Sequence, residues 1–347
     1  MKLSMPLSYA GGFKESVKQV ADLEQAGIDL VWVAEAYGFD SVSLMGYLAA
    51  RTERVTIAAG ILNIYSRTPT TLAMSAAGID ALSDGRFELG LGASGPQVIE
   101  GFHGVPYDKP LGRTREIIEI CRQVWAREEP VTHDGPLYHL PLPDGQGTGL
   151  GKPLKILAHP VRPRIPIHVA ALGEKNVALT AEIADGWLPI FFLPERTKEV
   201  FGASLDAGAA KRDASLAPLE ICAGGVAAVG EWGEVRPLLE MLGRPIAALY
   251  IGGMGAKGRN FYNALVTRYG YEAEAAEIQE LYLAGKKNEA AAAVPLELLE
   301  LTNLVGPASF VQERIAAFRE AGVTTLNVTP VAPEPAKLVE KLKSWAD

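Results

Sequence analysis

The sequence predicts an α/β fold, a (β/α)8 barrel with insertions, on three observations. Eight short apolar runs alternate with amphipathic segments along a chain of 347 residues, and eight is the strand count of such a barrel. Each run has the length and apolar character of a strand buried on both faces of a parallel sheet. A doubly wound open sheet, with six or so strands, would leave candidates without a place.

The clearest unit lies between Val55 and Pro96, where Val55–Gly60 and Phe87–Leu91 read as strands. Between them Thr68 is placed to cap a helix whose first residue, Pro69, is tolerated there. Leu72, Ala76, Ile79 and Leu82 recur at helical spacing, and Gly85 stops the helix after Ser83 and Asp84. Upstream, Leu3–Tyr9 is the first strand and Phe13–Ala26 a helix closed by Gly27. Leu30–Ala34 is the second strand, ending at Glu35, and Ser41–Arg51 the next helix. Pro110–Arg127 is a helix with Ile117, Ile118, Cys121 and Val124 inward.

Alternation resumes with strand Ile167–Ala170, helix Glu174–Ala184, strand Gly186–Phe191 and helix Glu195–Lys211. Strand Leu219–Val229 and helix Glu234–Leu242 follow, then a short apolar run, Ala247–Ile251. Gly306 and Pro307 open a helix that reaches Ala321 and is stopped by Gly322. Leu326–Thr329 is the eighth strand, and a last helix spans Glu334–Trp345. One barrel domain therefore covers 1–347, with insertions at about 129–166 and 252–303. The first is Pro- and Gly-rich with weak periodicity, either a mere excursion or part of a substrate wall. The second is helical and alanine-rich from 256 to 303 and cannot be another βα unit.

A net charge of −8 argues against nucleic acid or an anionic membrane as partner. Five histidines and two cysteines show no metal-ligand spacing. Cys121 and Cys222 fall in helical and strand patterns and read as reduced core thiols. No run approaches ~18 apolar residues and no cleavable leader is evident, so a soluble cytoplasmic protein is expected.

Active sites of such barrels lie at the carboxyl ends of the strands. In the fourth strand Phe87, Leu89 and Leu91 share the face expected to meet the helices, leaving Glu88, Gly90 and Gly92 inward. Those glycines leave room for a flat ligand or relieve packing between strands. The loop Gly92–Gly104 has neither a Walker lysine nor a full GxGxxG pattern. Ser94 and Gln97 there suit a heterocycle or a polyol, and His103 is a proton carrier or a structural histidine. After the fifth strand, Gly173, Glu174, Lys175 and Asn176 form a helix start suited to a phosphate. Ordinary capping by Glu174 is the alternative. Glu35 either positions a ligand, acts as acid or base, or pairs with an arginine. Candidate substrate walls are Ser8–Phe13, the 130–165 insertion and Ile251–Phe261, with Lys257 and Arg259 meeting an anion or solvent.

The segments LVWVAEAYGFDSVSLMGYLAARTERVTIAAGI, DALSDGRFELGLGASGPQVIEGFHG, IPIHVAALGEKNVALTAEIADGWLP and LVGPASFVQERIAAFREAGVTTLNV resemble the bacterial luciferase-like superfamily. More narrowly they resemble its coenzyme F420-dependent oxidoreductases, the group of methylenetetrahydromethanopterin reductase and the F420-dependent alcohol and glucose-6-phosphate dehydrogenases. The resemblance implies a barrel holding a flavin or deazaflavin at the strand ends. It implies a non-proline cis peptide at Gly60-Ile61 backing the ring, a ring-contacting acid at Glu35, and polar contacts at Ser94, Gly95 and Gln97. It further places cofactor contacts at Asn63, Ala170 and Ala171 and the phosphates at Gly173–Asn176. The alcohol and sugar-phosphate dehydrogenases have a catalytic histidine directly after the acid, where this chain has Ala36. The expectation is a homodimeric F420-dependent oxidoreductase moving a hydride to or from a small organic substrate, with reduction favoured. An FMN-dependent monooxygenase and a non-catalytic flavin- or deazaflavin-binding barrel are the alternatives.

Overall fold

Parallel pairing of eight strands closes the sheet on itself. In this computed structural model, which describes residues 1–7 and 12–347, the strands are β1 Lys2–Pro6, β2 Leu30–Val33, β3 Thr56–Ala59, β4 Phe87–Gly92, β5 Ile167–Val169, β6 Gly186–Trp187, β7 Glu220–Val229 and β8 Thr325–Pro330. Each pairs with the next in parallel, and β8 returns to β1 with Thr325 beside Lys2. The helices α1 Phe13–Ala26, α2 Ser41–Ala49, α3 Pro69–Leu82, α4 Pro96–Gly101, α5 Pro110–Ala126, α6 Glu174–Ile183 and α7 Thr197–Ala209 lie between successive strands.

Side-chain alternation divides the interior into two layers. Leu3, Val31, Val33, Ile57, Phe87, Leu89 and Leu91 point outward into the main core beneath the helices. Leu30, Trp32, Ala58 and Cys222 form a second, small cluster inside the barrel. Ser4 lies there too, its Oγ donating to Asn327 Oδ1 at 3.1 Å and 3.4 Å from Cys222 Sγ. Burial pushes both Cys121 and Cys222 thiols up to about 12, which leaves them protonated and inert as nucleophiles.

Several boundaries differ from the sequence reading. β1 ends at Pro6; the rest of the expected Leu3–Tyr9 strand and most of the candidate wall Ser8–Phe13 fall on residues 8–11, outside the described residues. β6 stops at Trp187, and Phe191, the expected strand end, takes a positive φ of 52°. The 129–166 stretch contains a small hairpin, His133–Asp134 against His139–Leu140. Buried Glu116 pins it by accepting from Leu137 N and Tyr138 N and contacting His133 Nε2 at 3.0 Å.

The helical excursion between β7 and β8 runs from Trp232 to Thr302 and so begins earlier than 252. The apolar run Ala247–Ile251 is helical, spread over a short helix (Arg244–Ala248) and a π-helical turn (Leu249–Gly253). The expected helix Glu234–Leu242 is present despite Pro237, as Trp232–Leu238 continued by a π-helical turn, Leu239–Gly243. A helix Phe261–Arg268 follows, and the short strand Leu304–Gly306 then pairs with the end of β7.

Candidate active site

At the end of β2, Glu35 is fully engaged. Arg67 Nη1 and Nη2 donate to its two carboxylate oxygens at 2.6 and 2.8 Å. Ser41 N and Oγ donate to it as well, at 3.2 and 3.3 Å. Arg67 reaches on to Asp40 Oδ1 at 2.6 Å, and Asp40 caps α2 by accepting from Ser43 N at 2.8 Å. Partial burial works against the Asp40 charge, but the Ser43 and Arg67 contacts outweigh it and hold the carboxyl below its usual range. Of the three roles open to Glu35, pairing with an arginine is the one this geometry displays, with three donors on Oε2 and one on Oε1.

Next to it, the Gly60-Ile61 peptide is cis, and Ile61 O accepts from Glu35 N at 3.3 Å. The inward glycines of β4 are explained by this corner. A Cβ on Gly90 would lie 1.8 Å from the Ala59 carbonyl oxygen, and one on Gly92 2.9 Å from Ile61 Cδ1. The space beside them belongs to the neighbouring strand, so the reading of Gly90 and Gly92 as room for a flat ligand is corrected in favour of close strand packing. Asn63 is buried, and its Oδ1 is spent on Tyr65 N and Ser66 N at 3.0 and 2.8 Å. Its side chain therefore builds the turn.

After β4, Ser94 takes a positive φ of 57° and is exposed. The expected loop Gly92–Gly104 contains the short helix α4, with Gly95 at its N-cap and Gln97 exposed in its first turn. A helix of six residues is too short to show a period, and only Pro96 signals its start. Tyr107 Oη donates to Ser94 O at 3.4 Å. His103 packs edge to face on Phe102, and its Nε2 is buried without a hydrogen-bond partner among the described residues.

The start of α6 is open. Gly173 is its N-cap and supplies no side-chain cap. The first bonds of the helix run from Asn176 N and Val177 N to Gly173 O at 2.9 Å, so Glu174 N and Lys175 N have no partner among the described residues. Ala170 and Ala171 lead into this turn; Ala171 O accepts from Trp187 Nε1 at 2.8 Å. Glu174 and Lys175 are exposed, whereas Asn176 Oδ1 is buried and unpartnered. Phe261 lies 3.9 Å from where a Gly173 Cβ would stand, which brings the expected wall Ile251–Phe261 to this corner. Lys257 and Arg259 are exposed in that segment.

Below these groups, inside the barrel, sits a pair that sequence reasoning half identified. Glu88 points inward as its alternation requires, and its Oε2 lies 2.7 Å from His168 Nε2, close but poorly aligned for a hydrogen bond. Burial opposes the Glu88 charge, yet His168 and the more distant Lys2 and Arg162 prevail and hold its carboxyl below the usual range. His168 went unremarked although it alternates with outward Ile167 and Val169; it stacks edge-on against Trp32 with centroids 5.3 Å apart.

Among the described residues no group of histidine, cysteine or carboxylate side chains is placed to hold a metal, and no helix is long and apolar enough to cross a membrane. A Mycobacterium tuberculosis protein provisionally named a coenzyme F420-dependent oxidoreductase is 43% identical over 341 residues, covering 97% of both chains. The coenzyme F420-dependent tetrahydromethanopterin reductase of Methanopyrus kandleri superposes with a TM-score of 0.78 at 20% identity, over 98% of this chain and 96% of its own. An F420-dependent secondary alcohol dehydrogenase solved with an F420-acetone adduct gives a TM-score of 0.75 at 16% identity, over 100% and 99%. The model of the luciferase-like monooxygenase family matches residues 2–325. With a closed eight-strand barrel and its open strand-end corner in place, the chain belongs to the luciferase-like monooxygenase family.

Proposed function

We propose that this enzyme is a coenzyme F420-dependent oxidoreductase that reduces a small organic substrate by hydride transfer. The observation that carries the reading is the open start of α6, where two free backbone N–H groups and Lys175 stand beside a buried, unpartnered Asn176 Oδ1. That donor set fits a phosphate and a neighbouring hydroxyl, the chemistry of a deazaflavin's polyol phosphate tail. The 43% identical relative's name supports F420 over FMN.

When bound, coenzyme F420 supplies a two-electron hydride donor at carbon five of its ring, and the protein's part is binding, orientation and exclusion of water. Glu174 N, Lys175 N and Lys175 Nζ hold the anionic end. Asn176 Oδ1 accepts from a hydroxyl. Gly60 and Ile61 would back the ring, and Glu35, immobilised by Arg67, would lie beside it. Ser94, Gly95 and Gln97 meet the ring or its side chain from β4, and Ala170 and Ala171 line the approach to α6.

What stands beside Glu35 supports reduction over alcohol oxidation. Ala36 offers no base, and Glu35 is occupied by Arg67 and Ser41. Reduction of an alkene or imine requires a hydride and a proton but no base to take an alcohol proton. The enzyme is further proposed to act in the cytoplasm as a homodimer, the common two-fold state. The test is anaerobic turnover of reduced F420 with a panel of enones, imines and ketones, followed by the return of the oxidised cofactor's absorbance. Oxidation only in the presence of an acceptor supports the reading. Binding without turnover of any acceptor favours a non-catalytic carrier, and oxygen-dependent turnover with FMN favours a monooxygenase.

A further inference from the structure

Two consecutive carbonyls that lead into α6 are each held by a side chain. Trp187 Nε1, buried at the end of β6, donates to Ala171 O at 2.8 Å. Arg268 Nη2 donates to Leu172 O at 2.9 Å, and its Nη1 to Val200 O of α7 at 3.3 Å. Phe201 joins the two holders. Its ring meets Trp187 edge to face with centroids 5.0 Å apart, and the Arg268 guanidinium lies over the same ring, 5.4 Å from its centroid. The backbone that enters the N-cap, Gly173, is therefore fixed at both carbonyls, and the free Glu174 N and Lys175 N come next in the chain.

Arg268 reaches this turn from far away in sequence. It ends the helix Phe261–Arg268, in the excursion between β7 and β8, 96 residues from Leu172. Phe261, at the other end of the same helix, already stands beside Gly173, so this one helix borders the start of α6 along its length.

The charge of Arg268 has no counterpart. Carbonyl oxygens satisfy its N–H donors without bringing a negative charge, and it forms no ion pair among the described residues. Glu199, beside Val200, is paired with Arg196 at 2.9 Å. Glu174, the acidic residue in the first turn of α6, has Lys175 next to it. The positive end of the α6 dipole and the Arg268 guanidinium are thus left as a surplus at one turn. Such a surplus beside free N–H donors favours a bound anion.

We infer that Arg268 is a positioning residue of the anion site. It fixes the Leu172–Gly173 turn that presents Glu174 N and Lys175 N, and its charge makes a phosphate ester, rather than a neutral polyol end, the preferred occupant. The arginine fork reaches Leu172 and Val200 together, which a lysine cannot do. The inference rests on the proposed placing of the cofactor's phosphate at the start of α6.

Fluorescence titrations of the full chain with two ligand pairs provide the test. FMN and riboflavin differ by the phosphate alone; F420 is set against its phosphate-free precursor, FO. Wild type is expected to bind the phosphate-bearing member of each pair more tightly. Arg268→Gln should weaken the phosphate-bearing members about tenfold and leave the phosphate-free members unchanged. Arg268→Lys keeps the charge without the fork and should show the same selective loss at about threefold. Melting temperatures establish that each variant is folded, and Arg268→Lys carries the test where Arg268→Gln is not. Equal loss for both members of a pair overturns the inference and leaves Arg268 a strut between helices, and unchanged affinity throughout overturns it as well. A wild type that does not separate the members of either pair removes the phosphate from α6, and the inference with it. Because both pairs read the same difference, the outcome does not depend on whether F420 or FMN is the resident cofactor.

Discussion

Arg67 holds Glu35 in a two-pronged grip, with nitrogen–oxygen distances of 2.6 and 2.8 Å. Both side chains are largely buried, at 15% and 8% exposure. The hydrogen bonds that Arg67 donates to Glu35 come first among the influences that raise the Arg67 pKa, and burial opposes them. Removing one partner strands the other's charge. Arg67→Ala is expected to lower stability by about 3 kcal/mol, and Arg67→Lys by less, because lysine cannot reproduce the fork. Adding Glu35→Gln to Arg67→Ala should recover part of the loss. Denaturant melts of wild type, Arg67→Ala, Glu35→Gln and the double variant measure the coupling, and additive losses would contradict a paired role.

Gly186 tests the barrel interior. A Cβ there would stand 2.0 Å from His168 Nδ1, and the ring has Trp32 on another side. Gly186→Ala is expected to cost about 3 kcal/mol by overpacking. Since β6 has only two residues, the midpoint in denaturant should drop sharply while circular dichroism at low denaturant stays native.

Acid should unfold the protein through carboxylates whose pKa values lie below normal in the native state. Glu88 is one; Asp185 is another, where burial is outweighed by Arg164, Ile167 N and Arg122. A depressed native pKa contributes stability that is present above the unfolded value, about 4 for these groups, and lost as pH falls through the native value. The melting temperature should therefore be flat from pH 7 to about 5 and fall below about 4. Glu88→Gln should flatten that fall. An unchanged acid slope would remove Glu88 from the account.

Much of this was readable in advance, for identifiable reasons. Strands such as Val31–Val33 and Phe87–Leu91 are all-apolar, and the inward placing of Glu88 and Gly90 followed from a two-residue period. Thr68 caps α3 by accepting from Thr71 N at 3.2 Å, as its place before Pro69 required. The failures have physical causes too. Whether Gly90 and Gly92 made ligand space or close packing stayed open in the sequence because the partner that fills the space, the Ala59–Ile61 corner, is some thirty residues away. Arg67 was invisible as the partner of Glu35 because a distance of 32 residues carries no local signal. The π-helical turns after β7 break the 3.6-residue period on which helix recognition depends.

Lys175 should matter to the anion and to little else. It is exposed and makes no ion pair or side-chain hydrogen bond among the described residues, so Lys175→Ala is expected to leave the melting temperature unchanged. Loss of one charge beside the open helix start should weaken F420 binding about fivefold, on the order of 1 kcal/mol. Equal affinities of wild type and variant in a fluorescence titration would withdraw that side chain from the phosphate site.

The identity of the cofactor is decided by paired anaerobic titrations of the same preparation with F420 and FMN. Saturable F420 binding at one site per chain is expected, at least tenfold tighter than FMN, with no rapid oxygen consumption when the reduced complex is exposed to air. Tighter binding of FMN, with fast oxygen uptake by its reduced complex, would contradict F420 as the cofactor.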